Sequence, residues 1–425
     1  MTILKLRHVA DIQNSNVDKV TLPDELPVRL CNYVDVYRND FITGDLEFSA
    51  GSATHAEIER FSLKIGDVLI TKDSEDRHDI GVPAYVRETT DDLVCGYHLT
   101  MLRAFKRMAD GAFLFWALQS KQAKESFAVA ANGVTRYGLT QEGIKGLSLW
   151  APDLPTQKRI AKFLDCETAR IDELIAKKER LVSLLKERGD AAREELLWGH
   201  GPFTKLGHHV SILPGYAFAS TNFSENPDDV RLLRGANVGV NEVRWDDVVY
   251  WPVADIPGLQ RFQLKAGDIV MGMDRPWISG GIRVAEITED DLPCLLLQRV
   301  CKIDPRSTLS IRFLKAIIES RKFIAYFEPI LTGVSVPHIS GDQISNFRFP
   351  FVDKEEQESR MNKLEQITLS IAPITRSTQK SIDRLIEYRS ALITAAVTGQ
   401  IDVETYGKAG TTSPTLDKIY EEMEG

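Results

Sequence analysis

Two textures alternate along the chain. Residues 1–151 are short apolar or β-branched runs set between Gly, Asp and Asn clusters, such as Val68-Leu69-Ile70 and Val82-Pro83-Ala84-Tyr85-Val86. Such runs predict short strands joined by turns, with one helix over about 111–130. At Pro152-Asp153-Leu154-Pro155, a helix-start signal, the texture changes. Apolar residues then recur at Ile160, Leu164, Ile171, Leu174, Leu181, Leu185 and Ala192, in steps of three, four or seven, with Glu, Lys and Arg between them. That spacing predicts a long amphipathic helix, stopped by Gly199 and Gly201-Pro202. Strand-and-turn text returns with Val248-Val249-Tyr250-Trp251, and a helix is predicted over about 310–328. A second stripe follows at Leu364, Ile367, Ile371, Ile374, Ile382, Leu385, Tyr388 and Leu392, up to Gly399, with Pro373 predicted to interrupt or kink it.

The recurrence is an internal duplication. Leu63-Lys64-Ile65-Gly66-Asp67-Val68-Leu69 returns as Leu264-Lys265-Ala266-Gly267-Asp268-Ile269-Val270, an offset of 201. From residue 113 the offset is 200 without gaps, with 16 identities in the 87 positions from 113 to 199. They include Phe113/Phe313, Ser120/Ser320, Phe127/Phe327, Gly133/Gly333, Ile144/Ile344, Gln157/Gln357, Leu164/Leu364, Thr168/Thr368, Ile171/Ile371 and Gly199/Gly399. The openings agree too: Lys5-Leu6 then His8-Val9, and Lys205-Leu206 then His208-His209-Val210. Each stripe by itself suits a helix packed on its own globular domain. Two matched stripes with charged flanks favour pairing with each other as an antiparallel coiled coil.

The expected fold class is therefore α+β: a tandem duplication of a mixed α/β domain followed by a long helix, the two long helices pairing as an antiparallel coiled coil. The expected segments are a first domain over 1–151, a central spacer helix region over 152–199, a second domain over 200–352, a C-terminal spacer helix region over 353–402 and a polar tail over 403–425, with a short helix near 416–423. Leu181 with Val182, and Leu184 with Leu185, make the first stripe wider than a two-helix seam needs. Ile171, Leu174, Leu181, Leu184, Leu185, Ile382, Leu385 and Leu392 are the partner-helix interface candidates.

Composition narrows the class. Of 425 residues, 43% are hydrophobic and 27% charged, the balance of a globular protein rather than a disordered or collagenous one. No apolar run has the length of a membrane span, and Arg7, His8, Asp11 and Asn14 break up any signal-peptide core. Five scattered cysteines without a CxxC pair read as reduced thiols of a cytoplasmic protein, with no zinc site. The net charge of −9 argues against a simple basic nucleic-acid binder, and no segment is a basic arm. Binding to DNA would use local patches, with further positive surface from a partner.

Catalytic signatures are missing. The chain has no GxxxxGK[ST] phosphate loop, GxGxxG turn, [ND]PP-aromatic motif, GxSxG elbow or HExxH pair. The stretch Asp73, Glu75, Asp76, His78, Asp79 lacks a defined ligand spacing and reads as a solvated turn. His208-His209, opening the first strand of the second copy, reads as structural. What remains is loop chemistry suited to binding. After the Gly-Asp strand come Lys72, Ser74 and Arg77 in copy one, and Arg275, Trp277 and Ser279 in copy two. After the helix come Thr135, Arg136 and Tyr137, matched by Ser335 and His338. Such side chains contact phosphates and base edges, although each also fits an ordinary turn. These eleven residues are the DNA-binding candidates; no catalytic or metal residue is expected.

The arrangement resembles the specificity subunit of type I restriction–modification systems. The resemblance rests on Leu154-Pro155-Thr156-Gln157-Lys158-Arg159-Ile160-Ala161-Lys162-Phe163-Leu164-Asp165 and Thr168-Ala169-Arg170-Ile171-Asp172-Glu173-Leu174-Ile175. Its strongest part is Leu385 to Asp402, which contains Ala395-Ala396-Val397-Thr398-Gly399. Copy one ends instead on Glu195-Leu196-Leu197-Trp198-Gly199, so the fuller phrase occurs once. The resemblance implies two target-recognition domains, each reading one half of a bipartite sequence in double-stranded DNA, held by two helices. It implies two modification subunits that bring S-adenosylmethionine and methylate adenine, and restriction subunits that use ATP and Mg. The chain itself would hold no cofactor and catalyse nothing. The rival readings are a coiled-coil scaffold or regulator, and a stand-alone DNA-modifying enzyme.

Overall fold

The computed structural model describes residues 2–331 and 337–406. The first domain opens with β1 (Ile3–Lys5), β2 (Ala10–Asn14) and β3 (Leu26–Cys31), then α1 (Tyr33–Arg38), β4 (Phe41–Ile42), β5 (Ser49–Ala53) and α2 (His55–Phe61). It continues with β6 (Val68–Thr71), β7 (Asp73–Ser74), β8 (Pro83–Val86), β9 (Leu93–Cys95) and β10 (Leu99–Ala104). The helices α3 (Gly111–Gln119) and α4 (Lys121–Ala130) follow, then β11 (Tyr137–Gly138), α5 (Gln141–Gly146) and β12 (Ser148–Trp150). The main sheet has the order β2-β10-β6-β8-β4. A second sheet places β3 between antiparallel β5 and parallel β9. Alternating Val, Leu and Ile on these strands close two cores, one beneath α3 and α4 and one between the sheets.

After α6 (Leu154–Trp198) the second domain repeats the frame. Its strands are β13 (Phe203–Lys205), β14 (Val210–Pro214), β15 (Val230–Leu233), β16 (Tyr250–Trp251), β17 (Ile269–Gly272), β18 (Trp277–Ile278), β19 (Gly281–Ile282), β20 (Val284–Glu286), β21 (Cys294–Leu296), β22 (Val300–Pro305) and β23 (Arg348–Pro350). Its helices are α7 (Ile311–Ile318), α8 (Arg321–Leu331) and α9 (Gly341–Asn346), and α10 (Lys354–Val397) closes the series. The sheet β14-β22-β17-β20 answers β2-β10-β6-β8, and β16-β15-β21 answers β5-β3-β9, with the same antiparallel and parallel senses.

The matched residues explain the duplication physically. Gln157 and Gln357 are both buried at the start of a long helix. Gln157 accepts from the Asp110 backbone N–H at 2.9 Å and donates to the carbonyls of Met108 and Pro152. Gln357 does the same with Ser310, Thr308 and Val352. Asp153 and Asp353 cap the two helices by accepting from the backbone three residues on, each at 2.8 Å. Gly66 and Gly267 take φ of 98° and 89° in the turn before β6 and β17, a conformation that favours glycine.

Three expectations are corrected. The single helix over 111–130, and its copy over 310–328, is in each case two helices. Ser120 and Ser320 stand at the break, where each hydroxyl accepts from the N–H of residue 123 or 323 and starts a new helix. Pro373 does not interrupt α10, which continues to Val397; its missing N–H costs one bond, and the helix stays paired on both sides. His208 and His209 lie outside the strands, in the 3-10 turn of Leu206–His208 and its cap.

The chain forms two compact units, residues 1–182 with 376–425, and residues 183–375. Each unit holds one copy of the duplicated domain and a segment of both long helices. In the first, Ile160, Leu164 and Ile171 share a core with Leu385, Leu392 and Ile393. Arg159 meets Glu404 and Asp172 meets Arg389 at 2.9 Å, which sets the two segments antiparallel. In the second, Leu197 and Met361 share a core, Arg360 donates to the Leu196 carbonyl, and Gly189 lies beside Ile371. That pairing is antiparallel as well. The tail expected over 403–425 is described only to Tyr406; residues 407–425, including the helix expected near 416–423, lie outside the described residues.

Candidate nucleic-acid interface

The loop that follows β6 is held from both sides by backbone bonds. Lys72 N–H donates to the His98 carbonyl at 3.2 Å, and Leu139 N–H donates to the Lys72 carbonyl at 2.8 Å. In the second domain Met273 N–H donates to the Arg299 carbonyl and Ile339 N–H to the Met273 carbonyl, at 2.8 and 2.9 Å. Both domains therefore build one platform from three distant pieces of chain: the segment after β6 or β17, the turn before β10 or β22, and the segment after α4 or α8.

On the first platform β7 pairs with β11, so Ser74 faces Tyr137 and Asp73 faces Gly138. Lys72 reaches the Ser15 carbonyl and lies 4.6 Å from the centre of the Tyr97 ring. Arg77 is anchored to the Ala128 carbonyl at 2.9 Å. Thr135 and Arg136 are exposed. Gly133 has φ 138°, and a Cβ there would meet the Arg136 carbonyl oxygen at 2.0 Å. This glycine thus serves the loop's own turn. A cleft of about 490 Å³ opens beside these residues, lined among others by Tyr33, Asp73, Asp79, His98 and Arg136. Burial and the nearby Asp79 carboxylate raise the Tyr33 phenol above its ordinary value.

On the second platform Arg275 takes φ 44° and its N–H donates to the Pro337 carbonyl at 2.7 Å. Trp277 lies in the small β18–β19 pair and Ser279 at its exposed tip. His338 Nδ1 lies 2.6 Å from the Asp274 carboxylate. Arg283 spans the loop, donating to the carbonyls of Val238 and Asp274, and burial lowers its pKa. Ser335 lies outside the described residues.

The structure thus brings Lys72, Ser74, Arg136 and Tyr137 together on one platform and Arg275 and His338 on the other. It also adds side chains outside those candidates: His98 in the first domain with Asp73, which the sequence reading places in a solvated turn, and Arg299, Asp274 and Arg283 in the second. Asp73 and Asp274 share the 201-residue offset of the strands before them, a signal present in the sequence.

The helix candidates divide by exposure. Ile171, Ile382, Leu385 and Leu392 are buried inside the first unit. Leu185 is half-buried, and Leu174, Leu181 and Leu184 keep 42–44% of their surface exposed. Among the described residues no group of three His, Cys, Asp or Glu side chains could hold a metal ion, and no helix is long and apolar enough to cross a membrane.

Residues 28–182 match the family model of the type I restriction modification DNA specificity domain. Over 164 residues the chain is 38% identical to the type I restriction enzyme EcoAI specificity subunit of Escherichia coli, an alignment of 38% of this chain and 27% of that one. Over 325 residues it is 24% identical to the MjaVIII specificity subunit of Methanocaldococcus jannaschii, across 72% of this chain and 74% of that one. Residues 28–182, which include the start of the long helix α6, are thus similar to a type I restriction modification DNA specificity domain. Two solved structures share the fold of this chain over 94% of its length. The HsdS subunit from Thermoanaerobacter tengcongensis aligns with TM-score 0.56 at 18% identity, over 97% of that chain. A chain from a study of complex assembly and conformational transition of the type I R-M system aligns with TM-score 0.70 at 15% identity, over 98% of that chain.

Proposed function

We propose that this chain is the DNA-specificity subunit of a type I restriction–modification complex, each recognition domain reading one half of a bipartite target in double-stranded DNA. The observation that carries the reading is the doubled platform. The same backbone bonds at Lys72 and Met273 present different side chains in the two domains, which suits two readers of two different sequences. The chain is a non-catalytic cytoplasmic subunit. Two modification subunits supply S-adenosylmethionine and methylate adenine, and restriction subunits supply ATP- and Mg-dependent steps. Leu174, Leu181 and Leu184, left exposed on α6, are the residues expected to meet the modification subunits.

Long-read methylation sequencing of the host, with and without this gene, tests the reading: N6-methyladenine should vanish from one bipartite motif. Replacing residues 1–151 with the matching domain of a relative should change one half of that motif and leave the other. A change in both halves, or in neither, would refute the two-reader assignment. Leu184→Asp should lower co-purification with the modification subunit, because docking would bury an unpaired charge, while the thermal unfolding of the chain stays unchanged.

A further inference from the structure

The two platforms share a feature that neither the duplication nor the family relationship assigns to a role. A carboxylate follows the platform residue in each domain: Asp73 after Lys72, and Asp274 after Met273. Each meets the side chain that rises from the turn before the next strand. Asp73 Oδ2 lies 2.8 Å from His98 Nδ1. Both oxygens of Asp274 lie 3.1 Å from Arg299 Nη1, and one also meets His338. His98 and Arg299 occupy the same place in the frame, since their carbonyls accept from the residue preceding the carboxylate. The duplication has therefore kept the carboxylate and its reach while replacing the nitrogen donor it meets.

In both cases the carboxylate lies deeper than its partner. Asp73 and Asp274 side chains are 26% and 28% exposed, against 39% for His98 and 58% for Arg299. An exposed planar donor backed by a more sheltered acceptor is held in one orientation with its far edge outward. We infer that Asp73 and Asp274 are matched positioning residues, and that His98 and Arg299 are the base-edge-reading groups they present, one for each half-site. The inference rests on the proposed reading of two half-site domains.

The chemistry of the two outward edges differs. With Nδ1 donating to Asp73, Nε2 is the ring atom left outward, and in the tautomer that carries its proton on Nδ1 it presents a lone pair. Such an acceptor suits the exocyclic amine of adenine or cytosine in the major groove. Asp274 occupies Nη1 of Arg299, and the Nε and Nη2 donors remain free of hydrogen-bonded partners among the described residues. A guanidinium held in this way suits the O6 and N7 acceptors of guanine. The first half-site should thus contain an adenine or cytosine read by His98, and the second a guanine read by Arg299.

The test uses the full chain co-purified with its modification subunit and a duplex library with both half-sites randomised; the bound fraction is sequenced. Arg299→Ala and Asp274→Asn should relax preference for guanine at one position of the second domain's half by about ten- to a hundred-fold, the range of one bidentate base contact. The first half should be unchanged. Asp73→Asn lets an amide oxygen or amide N–H meet Nδ1, which frees the other imidazole tautomer. Preference at one position of the first half should then shift away from adenine or cytosine, and His98→Ala should flatten the same position. Should Asp274→Asn not fold, Arg299→Lys on an exposed side chain carries the same test, since an ammonium cannot make the paired contact. Folded variants that keep the wild-type preference at every position, or that alter both halves together, would overturn the assignment. If the wild-type complex enriches no bipartite sequence, the proposed function falls and this inference with it. A bipartite motif that survives in all variants removes the inference alone.

Discussion

The two copies of the duplicated domain are built alike where they pack on the long helices and differently away from them. Gln157 and Gln357 make the same three hydrogen bonds, Ser120 and Ser320 cap the same helix, and Phe127 and Phe327 fill the same part of the core. At the far end the resemblance stops. Copy one turns through an acidic stretch between β7 and β8, whereas copy two inserts the β18–β19 pair. Copy one places α1 and α2 around β5, whereas copy two has only short 3-10 turns there. Divergence gathers in the segments away from the long helices, and each copy buries different side chains there: Val36 and Phe61 in copy one, Ile282 in copy two. A duplicated gene can vary these segments without losing the fold, the freedom that the proposed two readers would need.

Matched substitutions can break this comparison. The largest effect is expected from Phe127→Ala and Phe327→Ala. Both rings are fully buried, and each variant should lose about 3–5 kcal/mol of stability in urea unfolding. A large difference between the two would mean the cores are not equivalent. Gln157→Ala and Gln357→Ala should each cost about 3 kcal/mol, because one N–H and two carbonyls lose their partner in a buried site. Again the two should agree. Ser120→Ala and Ser320→Ala remove a cap and should each lower stability by about 1 kcal/mol.

The smallest effect separates the copies. His209 takes the place that the fully buried Val9 holds in copy one, and its ring stacks on Phe351 at 4.4 Å. Burial, with the neighbouring His208 charge, lowers its pKa from the ordinary 6.5. The folded state therefore favours the neutral ring. Stability from this group is complete above pH 6.5 and is lost as the pH falls through the lower folded value. A shallow loss of stability below that pH should disappear in His209→Val, as followed by thermal unfolding across pH.

Much of the frame was legible because local chemistry writes it into the chain. The Gly-Asp turns, the caps before α6 and α10 and the apolar stripes are short-range signals, and the duplication doubles each of them. The breaks at Ser120 and Ser320 were not legible, since the apolar pattern runs on across the serine and the cap depends on backbone geometry. The platform was half legible. Lys72, Ser74, Arg136 and Tyr137 stood out as loop residues, but the tie between Asp73 and His98 joins positions that only β-sheet pairing brings together. The same holds for Asp274, Arg299 and His338. The division of α6 and α10 between two units follows from antiparallel packing, which a linear reading of domains does not display.

That division bears on the order in which the molecule can be made. The second unit is one continuous stretch, residues 183–375, and is fully present once that stretch has left the ribosome. The first unit begins earlier but ends later, because its core needs Leu385, Leu392 and Ile393. At ~5–20 residues per second, the wait between its two parts is roughly 10–40 s. During that interval Ile160, Leu164 and Ile171 lack the segment that covers them. The half of the protein that is translated first is thus the half that finishes folding last. A nascent chain stalled before residue 376 carries an open apolar seam, available to a chaperone or to another nascent chain.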